Sequence, residues 1–205
     1  MARRPLLPAL MALAALAACD GGSPTGGAGA LTQAEAQELA SGWDDVSAAV
    51  MDGFGGPAAA VLPGDPARAT TTVQFTVTRE CPAGGTATVQ GTRAFERDGA
   101  GNGGVRFSAT RTDAACTFNA RRGAGTVTLT TTPTVQLTSE QTWTAGQPGT
   151  RTSTQKGSFD WTRSGGASGS CTVDLVATWT PATRTYTLNG TFCSRTVSVT
   201  RTRTA

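Results

Sequence analysis

Carboxylates are the side chains whose spacing comes closest to acid–base chemistry. Glu96 and Asp98 flank a glycine-rich turn signal, and Asp160 and Asp174 share the outward phase of neighbouring strand patterns. A glycosidase needs two such groups facing each other across a cleft, whereas paired acids beside a turn are ordinarily solvated. Asp98 and Asn102 lie in one glycine-rich loop, but the D-x-D-x-D-G spacing of a calcium loop is absent. The chain contains no histidine. That removes the commonest general base, the commonest metal ligand and every Ser-His or Cys-His nucleophile. Lysine occurs once, at Lys156. The expectation is a chain with no catalytic residues, no metal site and no cofactor, and not an enzyme.

Five cysteines remain to be explained. Cys81, Cys116, Cys171 and Cys193 are too far apart for the paired C-x-x-C spacings of a zinc site. An even set in an exported chain reads as two disulfides. Cys81–Cys116 and Cys171–Cys193 are the expected pairs because each closes a short loop, although four cysteines permit three connectivities.

The fifth cysteine stands apart. Arg3 and Arg4 precede an uncharged apolar run from Leu6 to Ala18, broken only by Pro8. That run is about a dozen residues, short of the roughly 20 needed to span a bilayer. It ends in Leu16-Ala17-Ala18-Cys19, which resembles the lipobox of bacterial lipoproteins. The resemblance implies cleavage before Cys19, a thioether-linked diacylglycerol on its sulfur and usually an N-acyl chain. At about 0.8 kcal/mol per buried methylene, two or three chains hold a protein firmly where one does not. The alternative is an ordinary secretory signal followed by an incidental cysteine. Gly21 to Ala30 is uncharged and rich in glycine, a flexible tether. Asp20 resembles the inner-membrane retention signal of enterobacterial lipoproteins. The expected organisation is a signal peptide (1–18), a lipidated tether (19–30), a helix (31–52) and a β domain (70–205). The expected location is the bacterial cell envelope, lipid-anchored to its membrane and facing the periplasm or cell surface.

Formal charge is +3 for the whole chain. Arg3 and Arg4 leave with the signal, so the mature chain carries no electrostatic footprint for nucleic acid. The charge is unevenly placed. Between Asp20 and Asp65 there are acids, Glu35, Glu38, Asp44, Asp45 and Asp52 among them, and no lysine or arginine. This predicts an acidic helix packing on a mildly basic β domain; the competing reading turns the arginines toward anionic lipid or glycan.

Leu31 to Met51 has the one helical pattern. Thr32 and Glu35 have capping-box spacing, and Leu39, Trp43, Val46 and Val50 recur on one face. From Thr70 the period changes to two. Val73-Phe75-Val77, Ala87-Val89, Val105-Phe107-Ala109, Val127-Leu129, Val135-Leu137, Phe159-Trp161, Val173 to Trp179, Tyr186-Leu188 and Val197-Val199 alternate largely with threonine. Turn signals separate them, including Pro82 to Gly85, Gln147-Pro148-Gly149 and Pro181-Ala182. The fold expected is mainly β: an antiparallel meander of roughly eight to ten strands forming a barrel, roll or sandwich behind one N-terminal amphipathic helix. The second face is threonine, glutamine and arginine, unlike the lipid face of a membrane barrel.

The stretch from Pro82 to Thr92 echoes that from Pro181 to Thr191, with Gly91 and Gly190 interrupting strands at matching places. A duplicated hairpin and chance in a threonine-rich chain explain it equally well. Parity adds a specific expectation: opposed inward residues of the last hairpins sum to odd numbers, but Cys171 and Cys193 do not. A bulge or break between Asn189 and Cys193, with Gly190 best able to supply it, is predicted to bring the sulfurs together.

The run Cys81-Pro82-x-Gly84-Gly85-Thr86, the scattered cysteines and Gly190-Thr191-Phe192-Cys193 resemble uncharacterised β-rich lipoproteins of Gram-negative bacteria. That resemblance implies fold and address, not an activity. Two functions fit: a structural or interaction domain with a filled core, or a module holding an apolar or glycan ligand in a barrel mouth. Trp143, Trp161, Trp179 and Tyr186 are the candidate ligand wall and, by their inward phase, candidate core. The protein or ligand partner is not named by any residue.

Overall fold

Threonine alternating with branched and aromatic residues gives each strand one wet and one dry face, and the described residues form ten strands behind one helix. The computed structural model describes residues 31–52, 69–120, 125–131 and 134–202. Helix α1 spans Gln33–Asp52; the strands are β1 (Ala69–Glu80), β2 (Thr86–Arg97), β3 (Gly103–Ala114), β4 (Cys116–Asn119), β5 (Thr126–Thr130), β6 (Val135–Thr144), β7 (Gln147–Arg163), β8 (Ser168–Thr180), β9 (Thr185–Phe192) and β10 (Arg195–Thr202). All ten join one antiparallel sheet, in the order β1-β2-β3-β6-β7-β8-β9-β10. The short β4–β5 hairpin continues it by pairing β5 with the far end of β7, Leu129 opposite Trp161. Among the described residues β1 and β10 end the main order and β4 ends the β5 branch, each paired on one side only, so the sheet coils without closing into a barrel.

The helix occupies the concave face. The capping box forms as expected: Thr32 N–H donates to Glu35 Oε2 at 2.8 Å, and Glu35 N–H to Thr32 Oγ1 at 3.3 Å. Leu39, Trp43, Val46 and Val50 are buried together. The helix packs against β10, β9, β1 and β2, strands from both edges. Trp43 meets Phe159 of β7 and Phe192 of β9, ring centroids 5.2 and 6.1 Å away. One helix reaches both edges and the centre only because the sheet curls around it.

Both disulfides have the expected pairing, Cys81–Cys116 and Cys171–Cys193. The route to the second differs from the parity argument. The β8–β9 ladder runs unbroken through Leu175 opposite Gly190 to Val173 opposite Phe192, so Gly190 makes no bulge. The chain instead leaves the strand at Cys193. Cys193 and Ser194 have φ of 53° and 60°, a two-residue turn that swings the sulfur back to Cys171. Gly190 serves a different need: a Cβ there would stand 2.0 Å from the Asp174 carbonyl oxygen on the neighbouring strand. Gly91 does the same against Ser108. Gly91 faces Phe75 across its hairpin and Gly190 faces Leu175 across the other, so the echoed segments share a register.

One turn is displaced from expectation. Gln147, Pro148 and Gly149 begin β7, and the turn is Ala145-Gly146, both with positive φ. Proline is tolerated at that strand start beside a register shift, where Thr142 of β6 faces both Gly149 and Thr150.

Candidate functional site

The densest chemistry lies between α1 and the sheet, around Arg111. The inward phase of β3 carries Phe107 and Ala109 and then delivers Arg111 and Asp113, both essentially unexposed. Arg111 Nε donates to both oxygens of Asp113 at 3.0 and 3.1 Å, and Nη2 to Oδ1 at 2.7 Å. Its Nη1 donates across the interface to the Trp43 carbonyl and to Ser47 Oγ, each at 2.7 Å. The guanidinium lies flat over the Trp43 indole, 3.7 Å from the ring centroid. Burial pulls Arg111 down from its ordinary value and pushes Asp113 up, while the two charges oppose both changes. The pair stays ionised because arginine does not give up its proton in proteins.

Gln155 of β7 completes the centre. Trp43 Nε1–H donates to Gln155 Oε1 at 2.7 Å, Ser47 Oγ–H to the same oxygen at 3.0 Å, and Gln155 Nε2 to Asp44 Oδ1 at 2.6 Å. The Tyr186 hydroxyl donates to Asp44 Oδ2. The acidic helix thus meets basic strands as its charge suggested: Arg163 binds Glu35 at 2.7 Å, and Arg201 binds Asp45 at 3.0 Å. Burial raises the Glu35 carboxyl, but Thr32 and Arg163 together hold it below the usual range.

This arrangement clamps a helix. Around Arg111 and Gln155 the polar atoms bond one another, while Arg163 Nε at the Glu35 contact is buried without a partner, and Trp43, Phe159 and Phe192 pack against one another beside the centre. Cys81, Asp113 and Cys116 place three potential ligand atoms close together, but the two sulfurs are bonded to each other. A disulfide offers no thiolate, so the donor set does not suit a metal.

The four candidate aromatics do not form one wall. Trp161 is buried core on β7. Trp179 and Tyr186 oppose each other at the far end of β8–β9. Trp143 sits elsewhere, at the end of β6, beside the β2–β3 turn. There a cavity of about 80 Å³ is lined by Phe95, Arg97, Asn102 and Trp143 among others. Trp143 Nε1 is buried there without a hydrogen-bond partner. The carboxylate pairs also separate. Asp174 binds Lys156 at 2.9 Å, Asp160 accepts from Ser170, and the two acids stand opposite different residues. Glu96 lies 4.0 Å from Arg106. Asp98 accepts from Ala100 N–H, Asn102 N–H and Asn102 Nδ2, which makes it the organiser of its turn. Cys19 lies outside the described residues.

Arg111, Asp113, Asp44, Ser47 and Gln155 were not singled out by motif. A signal for three of them exists in phase: Arg111, Asp113 and Gln155 fall on the inward positions of strands whose other inward residues are apolar. Asp44 and Ser47 follow the helix's one tryptophan, one and four positions on. Comparison of the chain with protein-family models, with curated proteins and with solved structures finds no match.

Proposed function

We propose that the chain is an envelope lipoprotein, anchored through Cys19, whose β domain is a structural or interaction module with a filled core. The observation carrying the choice of module is the position of α1. A curled sheet that holds a small ligand keeps its concave face open, whereas here Trp43, Ser47 and the Arg111 centre occupy it. No described helix is long and apolar enough to cross a membrane. In this reading attachment is through the lipid proposed at Cys19.

Two measurements test this. Cys19→Ser is expected to move the protein from the membrane to the soluble fraction and to abolish labelling by an alkyne fatty acid. Retention and labelling of the variant would defeat the anchor. Native mass spectrometry of the released protein is expected to show the bare chain. A small molecule co-purifying in fixed ratio would favour the binding-module reading, with the Trp143 cavity as the first place to look.

A further inference from the structure

Arginine has five N–H donors, and those of Arg111 are spoken for. They go to Asp113, to the Trp43 carbonyl, to Ser47 and, at 3.9 Å, to Cys116 Sγ. None of these bonds goes to Asp44, although the two charges act on each other through space. That carboxyl, 2 % exposed, accepts hydrogen bonds from the Gln155 amide and the Tyr186 hydroxyl, both neutral. The charges acting on it are Asp45 on its own helix, Arg151 on β7, Arg201 on β10 and Arg111 on β3; on β2, Arg93 stands opposite Phe107 of β3, on the same face of the sheet. Arg201 is already bonded to Asp45. The two donors favour the charged carboxylate, but burial disfavours it and is the larger effect.

We propose that Asp44 is a proton-operated latch: protonated, it seats α1 in the concave face, and ionised, it loosens the helix from the sheet. The inference does not depend on the anchor at Cys19. Burial pushes the Asp44 carboxyl up to about 6 from 3.8, against the Tyr186 hydrogen bond, which lowers it. The folded value is raised, so the folded state binds the proton more tightly than the unfolded chain. The stabilisation is complete below about pH 4, is lost as pH rises through about 6, and stays constant above that. A shift of this size alters the docking equilibrium roughly a hundredfold.

Hydrogen exchange of the full-length protein between about pH 4 and about pH 8, corrected for intrinsic rates, tests the latch. Amides of α1 are expected to lose protection roughly a hundredfold across that range, with β8 much less affected. Asp44→Asn keeps an acceptor for Gln155 and is expected to flatten the α1 profile. Tyr186→Phe deletes a donor to the carboxylate and is expected to move the wild-type midpoint to higher pH. Loss of protection in α1 and β8 together, an Asp44→Asn profile matching wild type, or an unmoved midpoint in Tyr186→Phe would each overturn the proposal.

Discussion

Arg111→Met is expected to cost about 3–5 kcal/mol, enough to remove much of the stability of an ordinary domain. The loss comes from what remains behind. Asp113, the Trp43 carbonyl and Ser47 stay in the interior without the guanidinium they face, and an unpaired buried carboxylate is the most expensive of these. Coulomb attraction between Arg111 and Asp113 is not the reason, because desolvation offsets most of it. Arg111→Met combined with Asp113→Leu is therefore expected to recover most of the loss. Urea unfolding measures both, as a lowered midpoint at nearly constant slope for the single variant and a restored midpoint for the double. A single variant within about 1 kcal/mol of wild type would show that the centre is solvated and that α1 is held by apolar contacts alone.

The disulfides come next in size. Removing either as a pair of alanines is expected to cost about 3–4 kcal/mol by loop-closure entropy, for loops with separations of 35 and 22 residues. Cys81–Cys116 should cost more than its loop length requires. Cys116 is fully buried beside Arg111, so alanine there also leaves a gap against the ion pair. Cys193 sits in a turn and is partly exposed, and its removal should approach the entropic figure alone. Urea midpoints for the two double-alanine variants give the comparison, and equal or reversed costs would contradict it.

Period made the strands readable. Threonine on one side and valine, leucine or phenylalanine on the other mark each one, and the steps from Leu39 to Val50 mark the helix. The disulfide pairing followed from loop length alone. Period does not show where a ladder ends. Parity correctly required Cys193 to break the pattern, but that break is a left-handed turn at Cys193-Ser194, and glycine content drew attention to Gly190 instead. Composition also hid the centre. A charged residue in a strand reads as outward by habit, yet Arg111 holds the inward phase because Asp113 lies two positions further along the same face. Their shared burial depends on Trp43 and Ser47, more than sixty residues earlier, and local pattern cannot express such a contact.

The attachment of α1 has a consequence for the order in which the molecule is completed. Most strands pair with a strand close by in sequence, so hairpins can form as the chain is made. The helix completes its docking late. Tyr186 lies 142 residues beyond Asp44, and Arg201 lies 156 beyond Asp45. A helix of 20 residues is marginal alone in water, and although β1, β2 and Arg111 of β3 offer it early contacts, its full set of partners exists only once β9 and β10 have joined the sheet. A chain truncated before β9 could assemble its early hairpins but would leave the apolar stripe of α1 without its terminal partners. Seating α1 completely therefore reports that strands far apart in the sequence, β1 and β2 on one side and β9 and β10 on the other, have been brought into one sheet.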